Sequence, residues 1–220
     1  IEQIQAELVG KLNDGQLQVT VQDADFSVSS VGRLYWTDLK QVYNAQSFQI
    51  QANDFGTWQL QEPMQVQLTN DSYRFSSFCL ASRKHSGRVC AEDTGSSIAI
   101  AGSDFPLLLL EPWLNNAGKE FTYTGLASLK GELPKDFSLA GSGYVDLQVP
   151  SLKIGVKPNT DNEIGRIDNL NMQAEWLGNR LSGKISASLR QNGFIEGEIN
   201  TGIASNAELS GKLKVQIYNL

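Results

Sequence analysis

Leu17-Gln18-Val19-Thr20-Val21-Gln22 sets an apolar side chain at every second position and a polar one between. That period of two marks a strand with one face on an apolar layer and the other in water. Asp23-Ala24-Asp25 breaks the run, and Phe26 and Val28 resume it. Working outward, Ile4, Ala6 and Leu8 alternate before it. After it come Phe48, Ile50 and Ala52, then Trp58 and Leu60, then Met64, Val66 and Leu68. The second half continues with Phe121, Tyr123, Gly125, Ala127 and Leu129, Phe137 and Leu139, Val145, Leu147 and Val149. Leu152, Ile154 and Val156 follow, then Leu170, Met172, Ala174 and Trp176. Leu181, Gly183, Ile185, Ala187 and Leu189 lead to Ile195, Gly197 and Ile199, and Leu213, Val215 and Ile217 close the chain.

The breaks carry turn chemistry. Asn13-Asp14-Gly15, Asn53-Asp54-Phe55-Gly56, Asn70-Asp71, Leu177-Gly178-Asn179 and Gln191-Asn192-Gly193 supply residues that tolerate positive φ. Strand–turn units recur about every 9–12 residues, the spacing of an antiparallel meander. The chain has room for roughly 14–18 strands, beyond the usual sheet size. Because strand patterns run to both ends, residues 1–220 are expected to be a fragment of a continuous sheet in a longer parent. Helical signals are few. Ser103-Asp104-Phe105-Pro106 leads into Leu107–Leu110, Glu111-Pro112-Trp113-Leu114 and then Asn115-Asn116-Ala117-Gly118. A capping residue, an early proline and a late glycine predict a short apolar helix near 104–116. Thr37–Asn44, with Leu39, Val42 and Tyr43 on one face, is a weaker second candidate.

With 220 residues, 40% hydrophobic and 19% charged, the chain is ordinary for a folded protein. A net charge of −6 argues against nucleic acid, whose phosphates require clustered Lys and Arg. Phe105–Leu110 is the longest apolar stretch and is far too short to span a bilayer as a helix. Catalytic signals are missing. His85 is the single histidine, and it sits in a polar turn between Cys79 and Cys90 with no Cys-x-x-Cys spacing beside it, so no metal or other cofactor is expected. Asp23, Asp25, Asp54, Asp71, Asp161 and Asp168 are scattered over turns with no acid–base pair among them. Gly141 and Gly143 lie between strand residues and read as a bend, not a phosphate loop. Trp36, Trp58, Trp113 and Trp176 read as packing residues. The tip Arg83-Lys84-His85, with Arg88, reads either as a solvated hairpin end or as a contact for an anionic lipid headgroup or an acidic partner. The cysteine spacing leaves two readings open: a disulfide across a hairpin, which implies an oxidising compartment, or two buried thiols.

The pattern poses one physical problem. Every strand has an apolar face to cover, and there is almost no helix to cover it. Two sheets can pack as a sandwich, one sheet can close into a barrel, or a long sheet can curl and leave an apolar trough for something else to fill. A trough suits acyl chains, because each methylene removed from water contributes about 0.8 kcal/mol and no polar geometry is needed.

The stretch from Trp58 to about Gly131 resembles the TamB family of AsmA-like, bridge-like lipid carriers. The resemblance is carried by Trp58-Gln59-Leu60 with Met64-Gln65-Val66-Gln67-Leu68, by Phe78-Cys79-Leu80 and Val89-Cys90-Ala91, by Ile98-Ala99-Ile100-Ala101, by Phe105-Pro106-Leu107 through Pro112-Trp113-Leu114, and by Thr124-Gly125-Leu126. It implies a curled β-sheet (a β-taco) with an apolar interior; with the strand pattern, the expected fold is all-β, a long antiparallel meander curled into a trough with one short apolar helix, the β-sandwich being the alternative. It implies a periplasmic location in a protein anchored in the inner membrane of a Gram-negative bacterium, phospholipid as cargo, and a TamA-like outer-membrane barrel as partner of the parent chain. A Cys79–Cys90 disulfide belongs to the same implication. The expected function is a segment of an inner-to-outer-membrane bridge that supports outer-membrane biogenesis. The alternatives are a chaperone-like module for unfolded outer-membrane proteins or autotransporters, and a plain structural spacer. The expected lipid-groove set is Val19, Phe26, Ile50, Leu60, Val66, Leu139, Leu147, Ile154, Met172, Ile185 and Ile199. Alternation says which residues share a face within a strand, not between strands. The 104–116 segment is expected either to lie over or inside the trough or simply to pack at a bend.

Overall fold

A computed structural model describes residues 2–11, 13–37, 39–53, 56–107, 121–135, 141–156, 159–189, 193–202 and 209–218. Contacts divide the chain into two units, Ile1–Gly95 and Ser96–Leu220. Seventeen strands are described, and every strand pair whose register is given is antiparallel.

The first unit holds β1 (Gln3–Lys11), β2 (Asp14–Gln22), β3 (Phe26–Trp36), β4 (Gln41–Ala52), β5 (Gly56–Leu60), β6 (Met64–Leu68), β7 (Tyr73–Phe75), β8 (Phe78–Ser82) and β9 (Arg88–Asp93). The first four form a plain meander. The sheet then forks along β4. Its second half pairs with β5, which pairs with β8 and so with β9; its first half pairs with β6, which pairs with β7. The Asp93 carboxylate accepts from the Phe75 and Gly95 backbone N–H groups at 3.2 and 2.8 Å, tying β7 to the end of β9.

The second unit holds β10 (Ser97–Pro106), β11 (Phe121–Thr124), β12 (Leu126–Pro134), β13 (Ser142–Val156), β14 (Asn159–Leu177), β15 (Arg180–Leu189), β16 (Gly193–Gly202) and β17 (Leu209–Ile217). Its order is β10-β12-β13-β14-β15-β16-β17, with β11 extending β12 alongside β13. Leu107, Ala127 and Val149 form its buried cluster, with Phe105, Tyr123, Leu147, Leu152 and Leu170 against it. Val149 is 1% exposed, a burial worth about 1.5–3 kcal/mol.

Three expectations need correction. Asp104, Phe105 and Pro106, the start of the expected 104–116 helix, continue strand β10; Asp104 takes φ +52° at a bulge, and residues 108–120 lie outside the described set. Thr37–Asn44 is a turn running into β4, closed by the Thr37 N–H on the Lys40 carbonyl. Of the apolar residues that suggested a helix face there, Val42 and Tyr43 pair with β6 instead, and Leu39 is exposed before β4 begins. Finally, each unit is one open sheet, neither a sandwich nor strongly curled. Exposed Met172, Leu213, Val215 and Ile217 lie on a face that no second sheet covers among the described residues.

Candidate functional site: an apolar trough

The registers join the strands that the sequence left unconnected. In the second unit, cross-strand partners form an unbroken row: Leu129, Leu147, Met172, Ile185, Gly197 and Leu213, one from each strand β12 to β17. The adjacent row is Gly131, Val145, Ala174, Gly183, Ile199 and Gly211. All of them except Gly131 line a trough of about 820 Å³, a volume typical of small-molecule sites. Five strand spacings of about 4.8 Å make it roughly 24 Å across the strands.

Across β15 to β17 large and small residues alternate between the two rows, with Ile185, Gly197 and Leu213 beside Gly183, Ile199 and Gly211. A Cβ on Gly183 would stand 2.7 Å from Ile199 Cγ2, and one on Gly197 would stand 2.8 Å from Ile185 Cγ2 and 3.2 Å from Leu213 Cδ1. The isoleucines and the leucine thus lean over glycines, and any side chain at the glycines would lift them into the trough. Met172 and Ile199 are each 42% exposed and Leu213 is 70% exposed. Lys184, Glu198 and Lys212 border the trough through strand segments whose side chains alternate to the other face. There they stand opposite one another in the order Lys184, Glu198, Lys212, with Glu196 opposite Lys214. Opposite charges at directly facing positions favour this register.

Three sites carry bulges that preserve the apolar face. In β4, the register against β3 shifts between the β3 residues Val31 and Gly32, which face Ser47 and Ala45, so the apolar series passes from Ala45 to Phe48. In β10 it shifts between Gly102 and Phe105. In β13, five steps from Gln148 to Lys153 face four from Ser128 to Thr124, and β14 shifts against β15 between Asp168 and Asn171, with Asn169 at φ +51°. The inserted residue flips the phase. Val149 is therefore followed on its face by Leu152 and Ile154, not by Ser151. A Cβ on Gly125 would come within 2.4 Å of the Ser151 carbonyl oxygen, so this bulge requires glycine opposite it.

The structure places the expected groove residues as follows. Leu147, Met172 and Ile185 are direct cross-strand neighbours in the trough, and Ile199 lies in the adjoining row. Ile154 faces Tyr123, which packs on the Leu107–Ala127–Val149 cluster, so it shares that face beside the buried core. In the first unit, Val19, Ile50 and Phe26 share one face through the partners Ser30–Phe48, Val28 and Ala52. Leu60 joins them by alternation from Trp58, which faces Ile50, and Val66 joins through Tyr43. Leu139 lies outside the described residues. Leu129, Val145, Leu181, Leu213 and the trough glycines were missed. Their signal was present as alternation, but only hairpin register shows which rows they complete.

Cys79 and Cys90 face each other across β8–β9 and are bonded, with S–S 2.11 Å and Cα–Cα 4.0 Å. Leu60 faces Leu80 on the apolar side, so the disulfide lies on the polar side. Among the described residues no three His, Cys, Asp or Glu side chains converge as metal ligands would. The Arg33 guanidinium, at 2.8 and 2.9 Å from the Asp14 carboxylate, holds that group below its ordinary pKa. No helix among the described residues is long and apolar enough to cross a membrane.

The family model for the N-terminal domain of TamB matches residues 1–220, the whole chain. Neither the curated proteins nor the solved structures contain a match to it.

Proposed function

From the premise that this chain belongs to the TamB family, a periplasmic, inner-membrane-anchored family of transport and assembly proteins and not of enzymes, we propose that its apolar face carries phospholipid acyl chains. In this reading the chain is one segment of a bridge between the inner and outer membranes. It works within a longer parent alongside a TamA-like outer-membrane barrel. The observation that supports this most directly is the trough of β12–β17, apolar along two full rows yet left half exposed. A bilayer's hydrocarbon core is about 30 Å for two leaflets, so one acyl chain needs about 15 Å. The roughly 24 Å trough accommodates it with contact along its whole length.

A second reading has its own support. Among the described residues β17 pairs only with β16, and Leu213, Val215 and Ile217 are exposed on it. Such an edge accepts an added strand, as a chaperone-like module for unfolded outer-membrane proteins would require. Photo-crosslinkers at Ile185 and Ile199, combined with native mass spectrometry of the purified chain, separate the two readings. Lipid adducts and co-purified phospholipid support the carrier. Polypeptide adducts without lipid support the chaperone and refute the carrier.

A further inference from the structure

We propose that the tip of the β8–β9 hairpin seats the phosphoryl headgroup of an amphiphile whose acyl chain lies on the apolar face of the same unit. The proposal rests on the lipid-carrying reading above and adds a headgroup site to it. The polar face of this corner is read from register. One row runs Ser29, Gln49, Gln59, Ala81 and Arg88. The next row towards the strand ends runs Ser27, Gln51 and Thr57. It is continued by Arg83, whose N–H donates to the Thr57 carbonyl at 2.9 Å. These rows contain two guanidiniums, with Lys84 exposed at the tip, and no carboxylate. Glu92 is four residues along β9 on this face, about 13 Å away, and Asp25 is three strand spacings away, about 14 Å. Asp54 lies outside the described residues. Among the described residues, three cations without an adjoining carboxylate are notable in a chain of net charge −6.

The two guanidiniums are held in place. Arg83 Nε donates to Gln59 Oε1 at 2.7 Å, and Gln59 Nε2 donates to Gln49 Oε1. That relay fixes the guanidinium through Nε and turns its two terminal nitrogens to the forked geometry that phosphate oxygens accept. Lys84 and His85 backbone N–H groups donate to Ser82 Oγ at 3.3 and 3.1 Å, and the Ser82 N–H donates to the Gly87 carbonyl at 2.9 Å. The tip is thus an ordered turn. Arg88 Nη2 lies 3.1 Å from Cys79 Sγ, so the hairpin disulfide braces the third cation.

Location selects the ligand. The tip stands at the strand ends, where the two faces of the sheet meet. Trp58, opposite Ser82, and Leu60, opposite Leu80, begin the apolar face one to three residues inward, about 3–10 Å along the strand. A single anionic head joined to an apolar tail spans that step. A polyanion would need a longer basic track than three residues provide.

The test is calorimetry on the 220-residue chain with three probes: dihexanoylphosphatidylglycerol, dihexanoylglycerol with the same tails and no phosphate, and glycerol 3-phosphate with no tails. The phospholipid is expected to bind tightest. R83Q/K84Q should weaken it about 25-fold, about five-fold per charge removed, bringing it towards dihexanoylglycerol, whose binding is unchanged. The charge-preserving R83K/K84R should retain most of the affinity. If R83Q/K84Q binds the phospholipid like the parent, the headgroup site is wrong and the carrier reading stands. If glycerol 3-phosphate binds as tightly as the phospholipid, the site takes soluble phosphate esters and the lipid assignment is overturned. If neither tailed probe binds, both the carrier reading and the headgroup site fail.

Discussion

Replacing Ile199 with Asp tests whether the trough receives acyl chains. Ile199 leans over Gly183 on the apolar face, beside the Ile185–Gly197–Leu213 row. It is 42% exposed in the free chain. Its burial therefore contributes only about 1 kcal/mol to folding, and the new carboxylate is hydrated while the trough is empty. A bound chain changes that balance. It must either cover the charge, which costs several kcal/mol without a partner, or lift away from it. Lifting three or four methylenes at about 0.8 kcal/mol each loses about 3 kcal/mol, an affinity drop of about 100-fold. Asn200→Asp is the control. It adds the same charge one residue further along β16, where the side chain alternates to the polar face, and should leave binding unchanged. The assay is displacement of a fluorescent fatty acid, with circular dichroism to show that both variants keep the sheet. Equal loss in both variants would mean that the effect is general electrostatics. No loss in either would mean that chains do not use this face.

Two further outcomes follow from the first unit. Cys79→Ala/Cys90→Ala frees a loop with a sequence separation of 11; loop entropy predicts a loss of about 3 kcal/mol and a melting midpoint lower by roughly 6–12 °C, and an unchanged midpoint would show that the bond adds no stability. Asp14 has its folded pKa lowered from 3.8, first by the hydrogen bond from Arg33. A depressed carboxylate contributes stability above its unfolded pKa and loses it as pH falls through the folded one, so Asp14→Asn should be the less stable chain at neutral pH and the difference should vanish in acid below the folded pKa; a difference that persists or grows on acidification in a pH series of urea melts refutes the assignment.

Strand content was legible in the sequence because a half-covered sheet writes itself as alternation. Leu17, Val19 and Val21 can only share a face if the backbone is extended. The phase skip from Val149 to Leu152 was also present in the residues, although its cause, a bulge shared by β13 and β14, appears only when Gly125, Ser151 and Asn169 are seen together. The expected helix failed at its start for a related reason. Asp104 and Pro106 are cap and first-turn residues, but they also suit a bulge and a strand end, and pairing with β12 decided between the two. Which strands complete the trough was not legible. Hairpin register depends on turn geometry that a string of letters leaves open, and a slip of one residue would send every side chain to the opposite face.

The bulges also explain why one face stays apolar across eight strands. A long strand accumulates twist and must shed it somewhere. An inserted residue does so, but at the cost of inverting every later side chain. In β10, β13 and β14 of the second unit, and separately in β4 of the first, the apolar residues change phase at the insertion itself, so the inversion is cancelled and each unit's own face continues. A domain that only needed a buried core could let the face lapse where the core ends. Here it extends through Ile199, Leu213 and Val215, which are largely uncovered and contribute little to folding. A sheet whose sole task was stability gains little from those residues, whereas the acyl chain proposed above, running across the strands, would gain contact at each of them.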